Sequence, residues 1–154
     1  MEPTILIVNG PNLNLLGTRE PEIYGRESLD EIAVLCADKA AQLGLAVDFR
    51  QSNSEAEIVG WIQEARGDAG GLIVNAGALT HTSIAILDAL LACALPVVEV
   101  HLTNIHRREA FRRDSYVSQA AVGTICGFGG HGYALALEAM ARIVNAGGDG
   151  DEEA

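Results

Sequence analysis

Lysine is nearly absent from the chain: Lys39 is the only one. It sits at the edge of a helical stripe, so imine chemistry at a lysine is not expected, and no Gly-Lys-Ser/Thr phosphate loop is present. Positive charge is scarce altogether. Ten Lys and Arg face 21 Asp and Glu, and the formal net charge of −11 argues against nucleic acid or an anionic membrane surface as partner. Aromatic residues make up only 5% of the chain, too few rings to hold a flavin. No apolar run approaches the ~20 residues of a membrane span. The three cysteines, Cys36, Cys93 and Cys126, are odd in number, far apart and set among apolar neighbours. They read as reduced core thiols rather than a disulfide framework or a metal knot. His81, His101, His106 and His131 show no metal-site spacing. Neither a metal nor a cofactor is therefore expected. The N-terminus carries no basic region and no cleavable apolar segment, and the expected location is cytoplasmic.

With 154 residues, 49% of them hydrophobic, the chain has enough material for one domain with a core, expected over residues 1–146. Thr4 to Val8 is a short β-branched run that reads as a buried strand. The next 17 residues, 9–25, are too polar for core, and Pro11 and Pro21 are expected to break any helix there. A compact domain seldom keeps such a loop idle, and this one carries Asn9, Asn12, Asn14, Arg19 and Tyr24 between potential glycine hinges at 17 and 25. From Ser28, a plausible N-cap, apolar residues recur at helical spacing as far as Gly44. Further strands are expected at Leu45–Phe49, Leu72–Val74, Pro96–Val100 and Ser118–Cys126. Helices are expected from Glu55 to about Ala65, from Ile84 to about Ala94, and from Tyr133 to about Asn145, with one or two short turns between Asn104 and Arg113. Residues 147–154, rich in Gly, Asp and Glu, read as a disordered acidic tail.

Strands alternating with helices five times require a parallel sheet with right-handed crossovers and helices on both faces. Five strands at this size suit an α/β, flavodoxin-like, doubly wound sheet of order 2-1-3-4-5. Such sheets bind ligands beyond the carboxyl ends of their strands, at the switch between strands 1 and 3. The rule selects Asn9 to Tyr24, Asn75 to His81 and Glu99 to Asn104, where the polar residues cluster. Two other activities share this architecture. A phosphoryl-accepting receiver needs an acidic cluster and a lysine at the strand ends, where this chain has Asn9 and Asn75. A flavin carrier needs a Ser/Thr/Gly phosphate loop after strand 1, where this chain has Pro and Asn. Gly127-x-Gly129-x-x-Gly132 matches a dinucleotide fingerprint but comes after the last strand, and reads as tight strand–helix packing.

Alternation along strand 4 puts Glu99 and His101 on one side. A carboxylate beside a histidine fixes its tautomer and favours the protonated ring, which suits a general acid. Tyr24 and Arg19 share one loop. A tyrosine ionises near pH ~10, and a neighbouring guanidinium lowers that by ~1–3 units, which would let Tyr24 act as a base on a carbon acid. Asn75, the Gly77–Ala78 backbone and His81 could grip hydroxyl and carboxylate oxygens. Thr103 and Arg112 could clamp a carboxylate, with Arg112 otherwise one member of a solvated basic face with Arg107, Arg108 and Arg113.

The ordered set of motifs resembles the type II 3-dehydroquinate dehydratases. It comprises Val8-Asn-Gly-Pro-Asn-Leu-Asn-Leu-Leu-Gly17, Arg19-Glu-Pro-Glu-Ile-Tyr-Gly25, Asn53-Ser-Glu55, Asn75-Ala-Gly-Ala78 with Thr80-His81, Glu99-Val-His101 with Asn104, Phe111-Arg-Arg113 with Ser115, and Gly127-Phe-Gly129 with Gly132-Tyr133. The resemblance implies anti elimination of water from 3-dehydroquinate through an enolate, giving 3-dehydroshikimate in the shikimate pathway. It implies Tyr24 as the base, Arg19 as the residue keeping it anionic, Asn12 as the donor ordering a water at the enolate, and His101, held by Glu99, as the acid. Asn75, His81, Asp88, Arg112 and the Leu102–Thr103 pair would bind substrate, Thr103 standing where the family usually has serine. It also implies a homododecamer of trimers in which Asp88 reaches a neighbour's site. The third helix, apolar nearly all round with Asp88 as its only charge, independently calls for cover on both faces.

Overall fold

The computed structural model describes residues 2–18 and 20–149, apart from the side chains of Tyr24 and of residues 147–149. Five parallel strands form one sheet in the order β2-β1-β3-β4-β5. They are β1 (Thr4–Asn9), β2 (Ala46–Gln51), β3 (Gly71–Asn75), β4 (Val97–His101) and β5 (Gly123–Cys126). The three central strands are apolar because both of their faces are covered. Ile5, Ile7, Ile73, Val98 and Val100 face one core with the long helices α2 (Leu29–Leu43) and α5 (His131–Asp149). Leu6, Val8, Leu72, Val74 and Val97 face the other, with α3 (Glu55–Asp68) and α4 (Ile84–Cys93). The edge strands β2 and β5 are only partly covered.

Serine starts three of these helices. Ser28, Ser54 and Ser83 each accept a hydrogen bond from the backbone N–H three residues on, at 3.1, 3.2 and 2.9 Å. Such a cap satisfies an amide left without a partner in the first turn and is typically worth about 1 kcal/mol. Gly44, with φ of 73°, closes α2 in the left-handed conformation, as its position after Leu43 suggested.

Four local expectations need correction. Pro11 and Pro21 do not keep the loop free of helix: Leu13–Leu15 makes a 3-10 turn, and Pro21 occupies the first position of a single helical turn, α1 (Pro21–Tyr24). A proline there gives up an N–H that has no helical partner anyway. The fifth strand begins at Gly123 rather than Ser118, because Val117–Gln119 closes a 3-10 turn first. The last helix continues to Asp149, past the expected end near Asn145. The rest of the acidic tail, residues 150–154, lies outside the described residues. Gly132 makes only ordinary contacts with Val100 and Ile125, so tight packing there is not what its glycine serves.

Cys36 and Cys93 are buried and Cys126 half-buried, all with free thiols. Burial, with a smaller contribution from Glu27, pushes the Cys36 thiol up to about 12. Among the described residues, no helix is long and apolar enough to cross a membrane.

Candidate active site

The ends of β1 and β3 are drawn together by main-chain contact. Gly10 N–H donates to the Asn75 carbonyl at 2.8 Å. A Cβ on Gly10 would lie 2.2 Å from the Ala76 carbonyl oxygen, closer than any side chain could tolerate. Gly77, at φ +59°, sits against Pro11 in a conformation that favours glycine. The two polar loops therefore share one floor. Beneath it lies Tyr133, fully buried, whose hydroxyl donates to Asn9 Oδ1 at 2.6 Å and accepts from Asn75 Nδ2 at 2.9 Å. Burial, the larger effect, raises the Tyr133 phenol well above its ordinary range, so it serves as a neutral strut between strands 1 and 3.

Glu99, in the middle of β4, is fully buried. Its Oε2 accepts from Thr80 Oγ1 at 3.0 Å, Ser115 Oγ at 2.6 Å and His101 Nε2 at 2.5 Å. Its Oε1 accepts from Thr124 Oγ1 at 3.0 Å and from Ser118 Oγ. Burial is the largest single influence and by itself would raise the pKa. The hydrogen bonds from His101, Ser115 and Ser118 outweigh it, and the carboxyl is held down to about 2. The charge is therefore permanent at neutral pH and bears on His101, which is 5% exposed and opens to the cavity at the strand's end. With Nε2 on Glu99, Nδ1 is the ring nitrogen left for a ligand.

The His81 ring lies nearly parallel to that of His101, with centroids 6.5 Å apart. His81 Nδ1 is 2.7 Å from the Asp114 carbonyl, which can only accept, so Nδ1 carries a proton and Nε2 is presented outward.

These groups line a cavity of about 270 Å³, together with Asn12, Leu13, Leu102, Thr103, Arg108 and Arg112. In a chain of formal charge −11, none of the described residues lining the cavity is acidic and two of them are arginines. The cavity is thus suited to an anionic ligand. Arg112 is aimed by Glu109, to which its Nε donates at 2.7 Å, and by the Phe111 ring beneath its guanidinium. Asn12 stands in the left-handed conformation at φ 71°, its backbone N–H donating to Asn53 Oδ1 at 3.0 Å.

Of the residues singled out from sequence, Asn12, Asn75, His81, His101, Leu102, Thr103 and Arg112 border one cavity, and Glu99 lies behind His101. Asn75 does so with its amide already engaged: Nδ2 holds Tyr133 and Oδ1 accepts from Gly77 N–H at 3.3 Å, which leaves one amide hydrogen for a ligand. Asp88 is absent from this lining; it lies on the exposed face of α4. Arg19 lies outside the described residues, and Tyr24 is described only in its backbone, in α1. Sequence reading had set Arg108 on a solvated basic face, whereas it lines the cavity with Nη1 3.5 Å from Thr103 Oγ1. The hydroxyls around Glu99 were also missed.

Fold and site together define a doubly wound α/β protein with a carboxylate–imidazole pair facing a cavity at the carboxyl ends of its strands. The sequence matches the family Dehydroquinase class II over residues 3–141. The chain belongs to that family. It is 60% identical over 142 residues to the 3-dehydroquinate dehydratase 2 of Pseudomonas aeruginosa, an alignment covering 92% of this chain and 96% of that one. It is 57% identical over 143 residues to the 3-dehydroquinate dehydratase of Methylobacterium radiotolerans, covering 93% and 96%. The crystal structure of the type II dehydroquinase from Propionibacterium acnes superposes with a TM-score of 0.88 at 45% identity, over 92% of this chain and 98% of that one.

Proposed function

We propose that this protein is a type II 3-dehydroquinate dehydratase, a hydro-lyase of the shikimate pathway that converts 3-dehydroquinate to 3-dehydroshikimate by anti elimination. The observation that carries it is the buried Glu99–His101 pair, which delivers an imidazole into a cavity lined by Arg108 and Arg112 and, among the described residues, by no carboxylate. In the reaction, the Tyr24 phenolate takes a proton from the carbon beside the ketone, and the bonding electrons move onto the ketone oxygen. Asn12 orders a water against that enolate oxygen. The enolate then re-forms its carbonyl as the C–O bond to the leaving hydroxyl breaks, and His101 supplies the proton that makes it water. Arg112 takes the substrate carboxylate, while Asn75, His81 through Nε2, and Leu102–Thr103 bind the remaining oxygens. The sequence contains three tyrosines; Tyr133 is excluded as a base by its burial and Tyr116 is not among the residues lining the cavity, which supports assigning that role to Tyr24.

Arg19 keeps Tyr24 anionic in this scheme. Arg19→Gln should cost the ~1–3 units that a guanidinium supplies, and so lower kcat about 10- to 10³-fold at neutral pH. Raising the pH should recover part of the loss by ionising Tyr24 directly. A pH–rate profile checks this, and a variant with the parent's profile would remove Arg19 from the scheme.

The proposal includes assembly into a homododecamer of trimers. One face of α4 is packed on the core through Ile86, Leu90 and Cys93. The other leaves Ile84 55% and Leu91 58% exposed, with Asp88 between them on the same side. A stripe of that kind suits a second copy of the chain, and Asp88 would then complete a neighbour's site. Light scattering should give a parent far larger than a monomer, and Asp88→Ala should weaken the assembly or kcat/KM. An active monomeric parent would refute the shared site. The reading also includes a cytoplasmic location, which the three free thiols support.

A further inference from the structure

The acid in this scheme is oriented from outside its own strand. Thr124, one of the hydroxyl donors on Glu99, lies within β5, and Thr80, another, lies in the 3-10 turn Gly77–His81 that follows β3. The other two, Ser115 and Ser118, belong to the connection between β4 and β5, which has no strand or α-helix of its own. That connection is fastened at several points. Tyr116 N–H donates to the Thr80 carbonyl at 2.7 Å, Ser118 N–H donates to Ser115 Oγ at 3.3 Å, and the Asp114 carbonyl accepts from His81 Nδ1 at 2.7 Å. Arg112 lies only two residues before Asp114.

We propose that Ser115 and Ser118 are positioning residues of the dehydration, because their hydroxyls lock the Glu99 carboxylate onto His101 Nε2 and so aim His101 Nδ1 at the leaving hydroxyl. The inference rests on the function proposed above, and gives the Asp114–Ser118 segment a role that its place outside the cavity does not suggest. A free carboxylate can rotate about its side-chain bonds. Here Ser115 holds Oε2, the oxygen that receives His101, and Ser118 holds Oε1, so the pair fixes rotation about the carboxyl axis. The same segment sets the tautomer of His81 through Asp114. Both histidines of the cavity therefore take their hydrogen-bond direction from one stretch of chain, the continuation of the Arg112 turn. Binding of a carboxylate at Arg112 and alignment of the acid are joined by a few residues of backbone.

The test is kinetic. Ser118→Ala, the double variant Ser115→Ala/Ser118→Ala and the hydroxyl-retaining Ser118→Thr are compared with the parent on 3-dehydroquinate, with and without deuterium at the carbon that loses its proton. Misalignment of a reacting group is expected to lower kcat about 10- to 10²-fold in the alanine variants, with KM little changed. Because the fault lies in the acid step, enolate formation should outrun it. The isotope effect on kcat should shrink, and exchange of that hydrogen with solvent should overtake product formation. Ser118→Thr should restore both. A merely structural role would lower the melting temperature and leave the isotope effect and the exchange ratio unchanged, and that result would overturn the inference. Alanine variants with the parent's kcat would overturn it as well, while the function stands. A parent that leaves 3-dehydroquinate untouched would overturn the function and this inference with it.

Discussion

His101→Ala is expected to lower kcat about 10²- to 10⁴-fold, the usual contribution of a positioned general acid, while the protein stays folded and binds its substrate. Expulsion of hydroxide without a proton is the step that suffers. His101 stands at the last position of β4 and borders the cavity, so its side chain does little for either core. Its removal takes one donor from Glu99 and leaves Thr80, Ser115, Ser118 and Thr124 in place. Binding should survive because the two arginines are untouched. Steady-state kinetics, a thermal melt and calorimetric titration with 3-dehydroquinate together check this. A variant with near-parental kcat would require another acid. Tyr24→Phe should produce a loss of similar size at the other proton-transfer step.

Glu99→Gln is the second large effect, and it should damage both rate and stability. The carboxyl is held at about 2 in the folded protein against an ordinary value near ~4.3. Because the folded value is the lower one, the unfolded chain binds more protons between the two, and stability rises with pH across that window. The charge-dependent contribution is about 3 kcal/mol, fully present above about pH 4.5 and lost as pH falls towards 2. Glutamine has no such dependence, and its amide N–H₂ meets hydroxyls that now donate to the carboxylate. The variant should therefore be less stable than the parent at pH 7, and the gap should narrow below pH 4. Urea unfolding at pH 7, 4 and 3 measures this, and a constant gap across that range would show that the charge is not what stabilises. The rate should fall too, since a neutral amide no longer holds His101 Nε2 by a charge-assisted hydrogen bond, and the ring loses the alignment that the acid step uses.

How far the sequence revealed the molecule depends on the range over which each signal acts. Thr4–Val8 and Leu72–Val74 were legible as buried strands because both faces of a central parallel strand are covered, which makes an uninterrupted apolar run. Ser28 was legible as a helix start because a cap bonds to an amide three residues away. Glu99 and His101 could be paired because strand alternation fixes their common side. The hydroxyl cage had no such signature. Its members lie 16 to 25 residues from Glu99 in sequence and meet only when β3, β4, β5 and the intervening connection are assembled. Pro21 was misleading for a local reason: the same ring that breaks a helix interior starts a helical turn. The edge strand β5 was misplaced at its start because partial cover leaves little hydrophobic contrast between strand and turn. Arg108 was overlooked because a guanidinium on a solvated face and one on a cavity rim look alike until the connection after β4 is folded back.

The most direct test of the account is absorbance of the conjugated enone formed from 3-dehydroquinate by the purified protein, run alone, with a chelator, and after borohydride treatment in the presence of substrate. Lys39, the only lysine, is paired with Glu138 at 2.6 Å and is not among the residues lining the cavity, and among the described residues no group of His, Cys, Asp or Glu converges to hold a metal. The account predicts enone formation that is the same under all three conditions. No enone, or activity abolished by borohydride, would contradict it, the latter by revealing an imine in place of an enolate.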